Sequence, residues 1–187
     1  MRIISGNLKG KKLFTINDSN TRPLKDSVKE SIFNILDHSR LIKYKLNNSY
    51  ILDLFSGVGS FGLECISRES KYVTFFENYA PTLKILKTNI QNLNCSTKTE
   101  VIDKDIFIFN KLDFKFKKYE FIFLDPPFKE GKIRILLEMI MRKKVLKKNG
   151  IILLHRNKKY LDKFPENFNI VITKTYGRSK IYFGKFD

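Results

Sequence analysis

The sequence predicts an α/β fold: a mostly parallel seven-stranded sheet with a reversed C-terminal hairpin, preceded by a short N-terminal β-hairpin and a helix. Three observations carry this expectation. From Tyr50 onward, short apolar runs alternate with segments of helical period, as repeated βαβ units require. The first run opens directly into the glycine-rich turn Ser56-Gly57-Val58-Gly59. The last two runs are joined only by Tyr176-Gly177-Arg178-Ser179-Lys180, too short for a parallel crossover, so those strands must be antiparallel.

In chain order, Arg2-Ile3-Ile4 and Lys11-Lys12-Leu13-Phe14, spaced by Gly6 and Gly10, read as a small basic hairpin forming an N-terminal arm. Between residues 24 and 38, Val28, Ile32, Ile35 and Leu36 recur at helical spacing, with Lys25, Lys29 and Glu30 assigned to the opposite, wet side. After a polar stretch at 43–49, strands are expected at 50–55, 72–76, 100–102, 121–124, 151–154, 170–175 and 181–185. Helices are expected at 61–68, 81–93 and 131–146, with further ones near 106–112 and 159–164.

The chain has 187 residues, 42% of them hydrophobic, enough for one core. A single domain over 1–187 is expected, with 1–40 a hairpin-and-helix extension and 41–187 the catalytic core. Lys and Arg number 36 against 19 Asp and Glu, a formal charge of +17 that attracts a polyanion and releases counterions on binding. Nucleic acid is the partner this favours; the competing reading is a solvated surface in an AT-biased genome. Cys65 and Cys95 lie in no metal-binding pattern and read as buried thiols of a reducing cytoplasm, with no metal expected. No apolar run reaches the roughly 20 residues that span a bilayer, and the N-terminus has no signal-peptide core. A soluble, cytoplasmic monomer without membrane contact is the expectation.

The turn Asp53-Leu54-Phe55-Ser56-Gly57-Val58-Gly59-Ser60-Phe61-Gly62 follows a strand and opens a helix, so its glycines let the backbone approach a ligand closely. Its GxGxxG spacing also suits a dinucleotide. Asp53 argues against that: a carboxylate there would repel a pyrophosphate but suits the ammonium and sulfonium of S-adenosylmethionine. Glu77, ending the second strand, can accept from both hydroxyls of a ribose. Asp105, after the third, can accept from an adenine amino group, although a helix N-cap explains it nearly as well. Three acids at successive strand ends converge on one crevice.

Asp125-Pro126-Pro127-Phe128 closes the fourth strand. Two prolines fix φ and make the loop stiff. An exocyclic amine on a base is a poor nucleophile because its lone pair is delocalised. Acceptance of its N–H groups by Asp125 and the Pro126 carbonyl would steer that lone pair toward a methyl donor, with Phe128 stacked on the base. The bland reading is a rigid turn.

These motifs resemble class I Rossmann-like methyltransferases. Met1-Arg2-Ile3-Ile4-Ser5-Gly6, Gly10-Lys11-Lys12-Leu13, Thr21-Arg22-Pro23, Val28-Lys29-Glu30-Ser31-Ile32-Phe33-Asn34 and Tyr176-Gly177 narrow the likeness to the RsmD family of small-subunit ribosomal RNA guanine-N2 methyltransferases. The resemblance implies S-adenosylmethionine as cofactor, held by Asp53, Phe55, Ser56, Gly57, Gly59, Glu77, Asp105 and Arg22. It also implies catalysis by Asp125, Pro126, Pro127 and Phe128 on guanine N2 of 16S RNA in an assembling subunit. One departure is His155-Arg156, where the family pattern leads one to expect a glutamate; His155 reads as a packed or exposed strand-end residue rather than a proton carrier.

Phosphate-binding candidates are Lys9, Lys11 and Lys12, Arg178 and Lys180, and Lys129 and Lys132, while Arg142-Lys143-Lys144 with Lys147-Lys148 reads as a helix's wet face. Three rivals remain open at this stage. One is an adenine-N6 or cytosine-N4 methyltransferase on DNA or other RNA, another a nicotinamide-dependent oxidoreductase, and the third a non-catalytic RNA-binding assembly factor.

Overall fold

A computed structural model describes residues 1–16, 24–111, 118–127 and 129–187, the side chains of 109–111 excepted. Arg22, Pro23 and Phe128 lie outside the described residues. The elements run α1 Asp26–His38, β1 Tyr50–Leu54, α2 Ser60–Ser67, β2 Tyr72–Phe76, α3 Ala80–Asn92 and β3 Thr99–Ile102. They continue with β4 Tyr119–Leu124, α4 Ile133–Lys143, β5 Leu146–Asn157, β6 Phe168–Tyr176 and β7 Ser179–Phe186. The seven strands form one sheet in the order β3-β2-β1-β4-β5-β7-β6. The first five are parallel, and β7 runs antiparallel to both β5 and β6, the reversed hairpin expected from the five-residue connection.

Strand alternation sorts the apolar side chains into two cores, one on each face. Ile51, Val73, Phe75, Phe121, Phe123, Ile151 and Leu153 pack with α1, α2, α3 and the N-terminal hairpin. Leu52, Leu54, Phe76, Ile122, Leu124, Ile152 and Leu154 pack with α4. Phe61 of α2 stacks on Phe123 at 4.1 Å and on Phe33 of α1 at 5.1 Å, so one aromatic column ties both helices to β4.

Three local expectations are corrected. The expected 106–112 helix is a 3-10 helix over Ile106–Lys111, with residue 112 outside the described residues. No helix forms at 159–164: Asp162 is drawn onto Arg156 and Phe164 packs edge-on to Tyr182 at 5.1 Å, so tertiary contacts override the weak helical period. The third expected helix ends at Lys143 because Lys144 turns left-handed (φ 52°), and Leu146 already belongs to β5. Lys147 consequently stands on a strand, paired with the Glu120 carboxylate at 2.6 Å, not on a helix's wet face.

The N-terminal arm is docked, not free. Arg2 bridges Lys12, and the amides of Ile4 and Ser5 donate to the Glu64 carboxylate of α2 at 2.7 and 2.9 Å. Lys29, expected on the wet side of α1, is fully buried instead. Its ammonium donates to the Arg2 carbonyl at 2.8 Å and lies 3.6 Å from Glu64, which also accepts from Arg68. Burial pulls the Lys29 pKa below its ordinary value, and the Glu64 carboxylate opposes that shift. Asn89 of α3 gives the arm a second anchor: its amide exchanges hydrogen bonds with the Phe14 backbone and donates to the Val58 carbonyl at 3.0 Å.

Candidate active site

Beyond Leu54 the chain turns sharply. Phe55 takes a left-handed φ of 59°, Ser56 donates through both its amide and its hydroxyl to the Phe76 carbonyl, and the Gly57 amide donates to Glu77 Oε2 at 2.6 Å. Glu77 Oε1 accepts from the Tyr79 amide at 2.8 Å. The carboxylate expected to hold a ribose therefore also staples the glycine turn to the end of β2. A carboxylate oxygen has two lone pairs, so each can still accept from a ligand hydroxyl.

Two glycines are demanded, Gly62 by space and Gly57 by a left-handed backbone. A Cβ on Gly62 would stand 2.3 Å from the Phe75 ring, which explains how closely α2 lies on β2. Gly57 (φ 55°) has nothing within 4 Å of where its Cβ would be, leaving open room above the turn. That room adjoins a cleft of about 330 Å³ lined by Phe55, Phe76, Glu77, Asp105, Phe107 and Lys132. Asp105 is exposed at its rim and accepts from the Phe107 amide at 2.8 Å, so it does cap the 3-10 helix. A larger, more open groove of about 690 Å³ between α1 and β6 has no carboxylate among its described lining residues and stands apart from the glycine turn.

Asp53 sits beneath the turn, 1% exposed, its Oδ2 accepting from the Gly62 amide at 3.0 Å. Its Oδ1 is buried with no hydrogen-bond partner among the described residues. Burial pushes the Asp53 carboxyl well above the ordinary range, the Gly62 amide opposes the shift, and the Asp125 and Glu77 carboxylates add to it. The Asp53, Glu77 and Asp125 carboxylates thus influence one another at the ends of β1, β2 and β4, while Asp105, the third acid of the sequence expectation, lines the cleft with Glu77.

Asp125 is anchored to the neighbouring strand by its amide, which donates to the Leu54 carbonyl at 3.3 Å. Its Oδ1 lies 2.8 Å from His155 Nδ1, and His155 Nε2 lies 2.9 Å from Ser179 Oγ. Pro126 is buried and Pro127 exposed. Arg156, 2% exposed, donates to the Pro127 carbonyl at 3.2 Å and the Glu130 carbonyl at 2.9 Å while its Nε is held by Asp162. The proline loop is therefore clamped from β5 as well as stiffened from within.

His155 is packed, as one of the two readings has it, but it is also bonded to the Asp125 carboxylate, and Arg156, named in the sequence only as part of the departure, has a role there too. A signal for both exists in the parallel register. Leu124 pairs with Leu154, so the next residues along the two strands, Asp125 and His155, emerge side by side. Among the described residues no cluster of metal-ligating side chains occurs, and no helix is long and apolar enough to cross a membrane.

Residues 1–185 match the model of the family described as conserved hypothetical protein 95. A ribosomal RNA small subunit methyltransferase D of Buchnera aphidicola is 35% identical over 180 residues, covering 96% of this chain and 90% of its own. A crystal structure from Haemophilus influenzae, 32% identical, covers 98% of this chain and 96% of its own with a TM-score of 0.78. An RNA methyltransferase from Salinibacter ruber, solved with S-adenosyl-L-homocysteine, shares the fold at 13% identity, covering 87% of this chain and 92% of its own with a TM-score of 0.63.

Proposed function

The chain belongs to the conserved hypothetical protein 95 family, the RsmD family of the sequence resemblance, and from that premise we propose that it methylates ribosomal RNA of the small subunit with S-adenosylmethionine, at a guanine N2. The observation that carries the reading is the anchoring of the Asp125-Pro126 acceptor pair beside the glycine turn, through the bond from the Asp125 amide to Leu54. Crevices at the carboxyl ends of parallel strands are where open α/β sheets bind ligands.

The residues suit the cofactor. Open space above Gly57 admits a ligand backbone, Glu77 retains lone pairs for a ribose, and the orphaned Asp53 Oδ1 lacks the donor that an ammonium supplies. S-adenosylmethionine, when bound, provides the electrophilic methyl group on a sulfonium. The protein's part is alignment. Asp125 accepts one N–H of the base's amine and the Pro126 carbonyl the other, which frees the nitrogen lone pair to face the methyl carbon. Phe128, outside the described residues, is assigned the stacking partner of the base, and Arg22, likewise outside, a place at the cofactor. A single domain acting as a monomer on an assembling subunit completes the proposal.

Two measurements test it. Small subunits lacking the modification, incubated with methyl-labelled cofactor and digested to nucleosides, are expected to yield N2-methylguanosine. Label in N6-methyladenosine or N4-methylcytidine would transfer the reading to the rival base, and no label at all would end it. Glu77→Ala is expected to raise the cofactor dissociation constant about 10- to 100-fold by calorimetry, the worth of about one charge-assisted hydrogen bond, with kcat at saturation within about threefold. An unchanged dissociation constant would remove Glu77 from the cofactor site.

A further inference from the structure

We propose that His155, braced by Ser179, is a positioning residue for methyl transfer: it fixes the rotation of the Asp125 carboxylate so that one defined oxygen meets the base's amine. The inference rests on the methyltransferase reading and goes beyond it, since the family pattern expected a glutamate at this point of the chain. The terminal torsion of an aspartate is broad and nearly two-fold, so a carboxylate at a loop start is not aimed by its rotamer alone. Here it is aimed by contact. Oδ1 is taken by His155 Nδ1 at 2.8 Å, which leaves Oδ2 as the oxygen available to accept from the amine, alongside the Pro126 carbonyl.

The ring itself is held on two sides. His155 is 5% exposed within β5, and its Nε2 meets Ser179 Oγ at 2.9 Å across the antiparallel β5–β7 pairing. Ser179 opens β7 immediately after the hairpin turn at Gly177 (φ 57°), so only one side-chain torsion separates its hydroxyl from a backbone fixed by strand pairing. The acceptor-only carboxylate assigns the tautomer: Nδ1 carries the hydrogen toward Asp125, and Nε2 accepts from the Ser179 hydroxyl. The opposite tautomer would set a ring lone pair against carboxylate lone pairs.

The test separates aim from mere packing by rescue. His155→Leu is expected to lower kcat about 10- to 30-fold, with the KM for subunits and the cofactor dissociation constant each within about twofold. His155→Asn, whose side-chain nitrogen falls near the position of Nδ1, is expected to recover to within about threefold of the parent, whereas His155→Gln, whose nitrogen falls near Nε2, is not. In an Asp125→Ala background His155→Leu is expected to have no further effect, because the two act as a unit. The imidazole nitrogens of a protein with only two histidines are resolvable by nuclear magnetic resonance, and the Nδ1–H tautomer is expected at His155. A parent protein that methylates guanine while His155→Leu keeps full kcat would overturn the positioning role alone. So would equal losses in the Asn, Gln and Leu variants, or the Nε2–H tautomer. A parent without activity on guanine would overturn the methyltransferase reading and this inference with it.

Discussion

Asp125→Ala is expected to lower kcat by at least about 100-fold while leaving the affinity for S-adenosylmethionine within about twofold, because the proposed function gives this carboxylate a contact to the reacting amine and none to the cofactor. The side chain is only partly exposed and stands at a loop fixed at both ends, by the Leu54 carbonyl on one side and the Arg156 guanidinium on the other. Truncation therefore removes the acceptor without releasing the loop that presents the Pro126 carbonyl. Single-turnover kinetics with saturating cofactor and small subunits reads the effect directly. A comparable fall in cofactor affinity would place Asp125 in the cofactor site instead. A variant with full turnover would remove Asp125 from the methyl-transfer step.

The second large effect concerns stability. Glu64→Ala is expected to destabilise the fold by about 3–5 kcal/mol, the scale of removing one partner from a buried ion pair. Glu64 and Lys29 are both fully buried, and the same carboxylate accepts the amides of Ile4 and Ser5 and the guanidinium of Arg68. Alanine would strand a buried ammonium and leave those backbone donors without this acceptor. Thermal unfolding is expected to drop by roughly 10 °C for a chain of this size. Adding Lys29→Met to the same protein is expected to restore part of the loss, since an apolar side chain carries no uncompensated charge. A midpoint within about 2 °C of the parent for Glu64→Ala would show that the pair contributes little.

The sheet was legible in the sequence because its strands are short apolar runs punctuated by turn residues. The strand at 72–76 is found as Tyr72–Phe76, and the reversed hairpin follows from the shortness of the connection between its strands. The glycine turn and the proline loop were legible for a related reason: glycine and proline restrict the backbone wherever they stand, whatever surrounds them. Side chains whose roles depend on a distant partner were not. Lys29 reads as one more polar residue of the helix, and its partners, the Arg2 carbonyl of the N-terminal arm and Glu64 on another helix, are distant in sequence. Arg156 reads as one more cation in a basic chain until the carbonyls of Pro127 and Glu130 and the Asp162 carboxylate are seen around it. Residues 159–164 carry enough helical spacing to suggest a helix, but the neighbouring β-hairpin offers Phe164 a better apolar seat.

The strand order β5-β7-β6 means that β7, though made after β6, lies inside it. During vectorial synthesis the emerging β6 has no place in the sheet, and the flank of β5 waits bare until its later neighbour arrives. Ser179 belongs to that late strand. A nascent chain on the ribosome consequently holds the glycine turn and Asp125 before it holds the serine that meets the His155 ring, so the contact behind Asp125 is among the last to form.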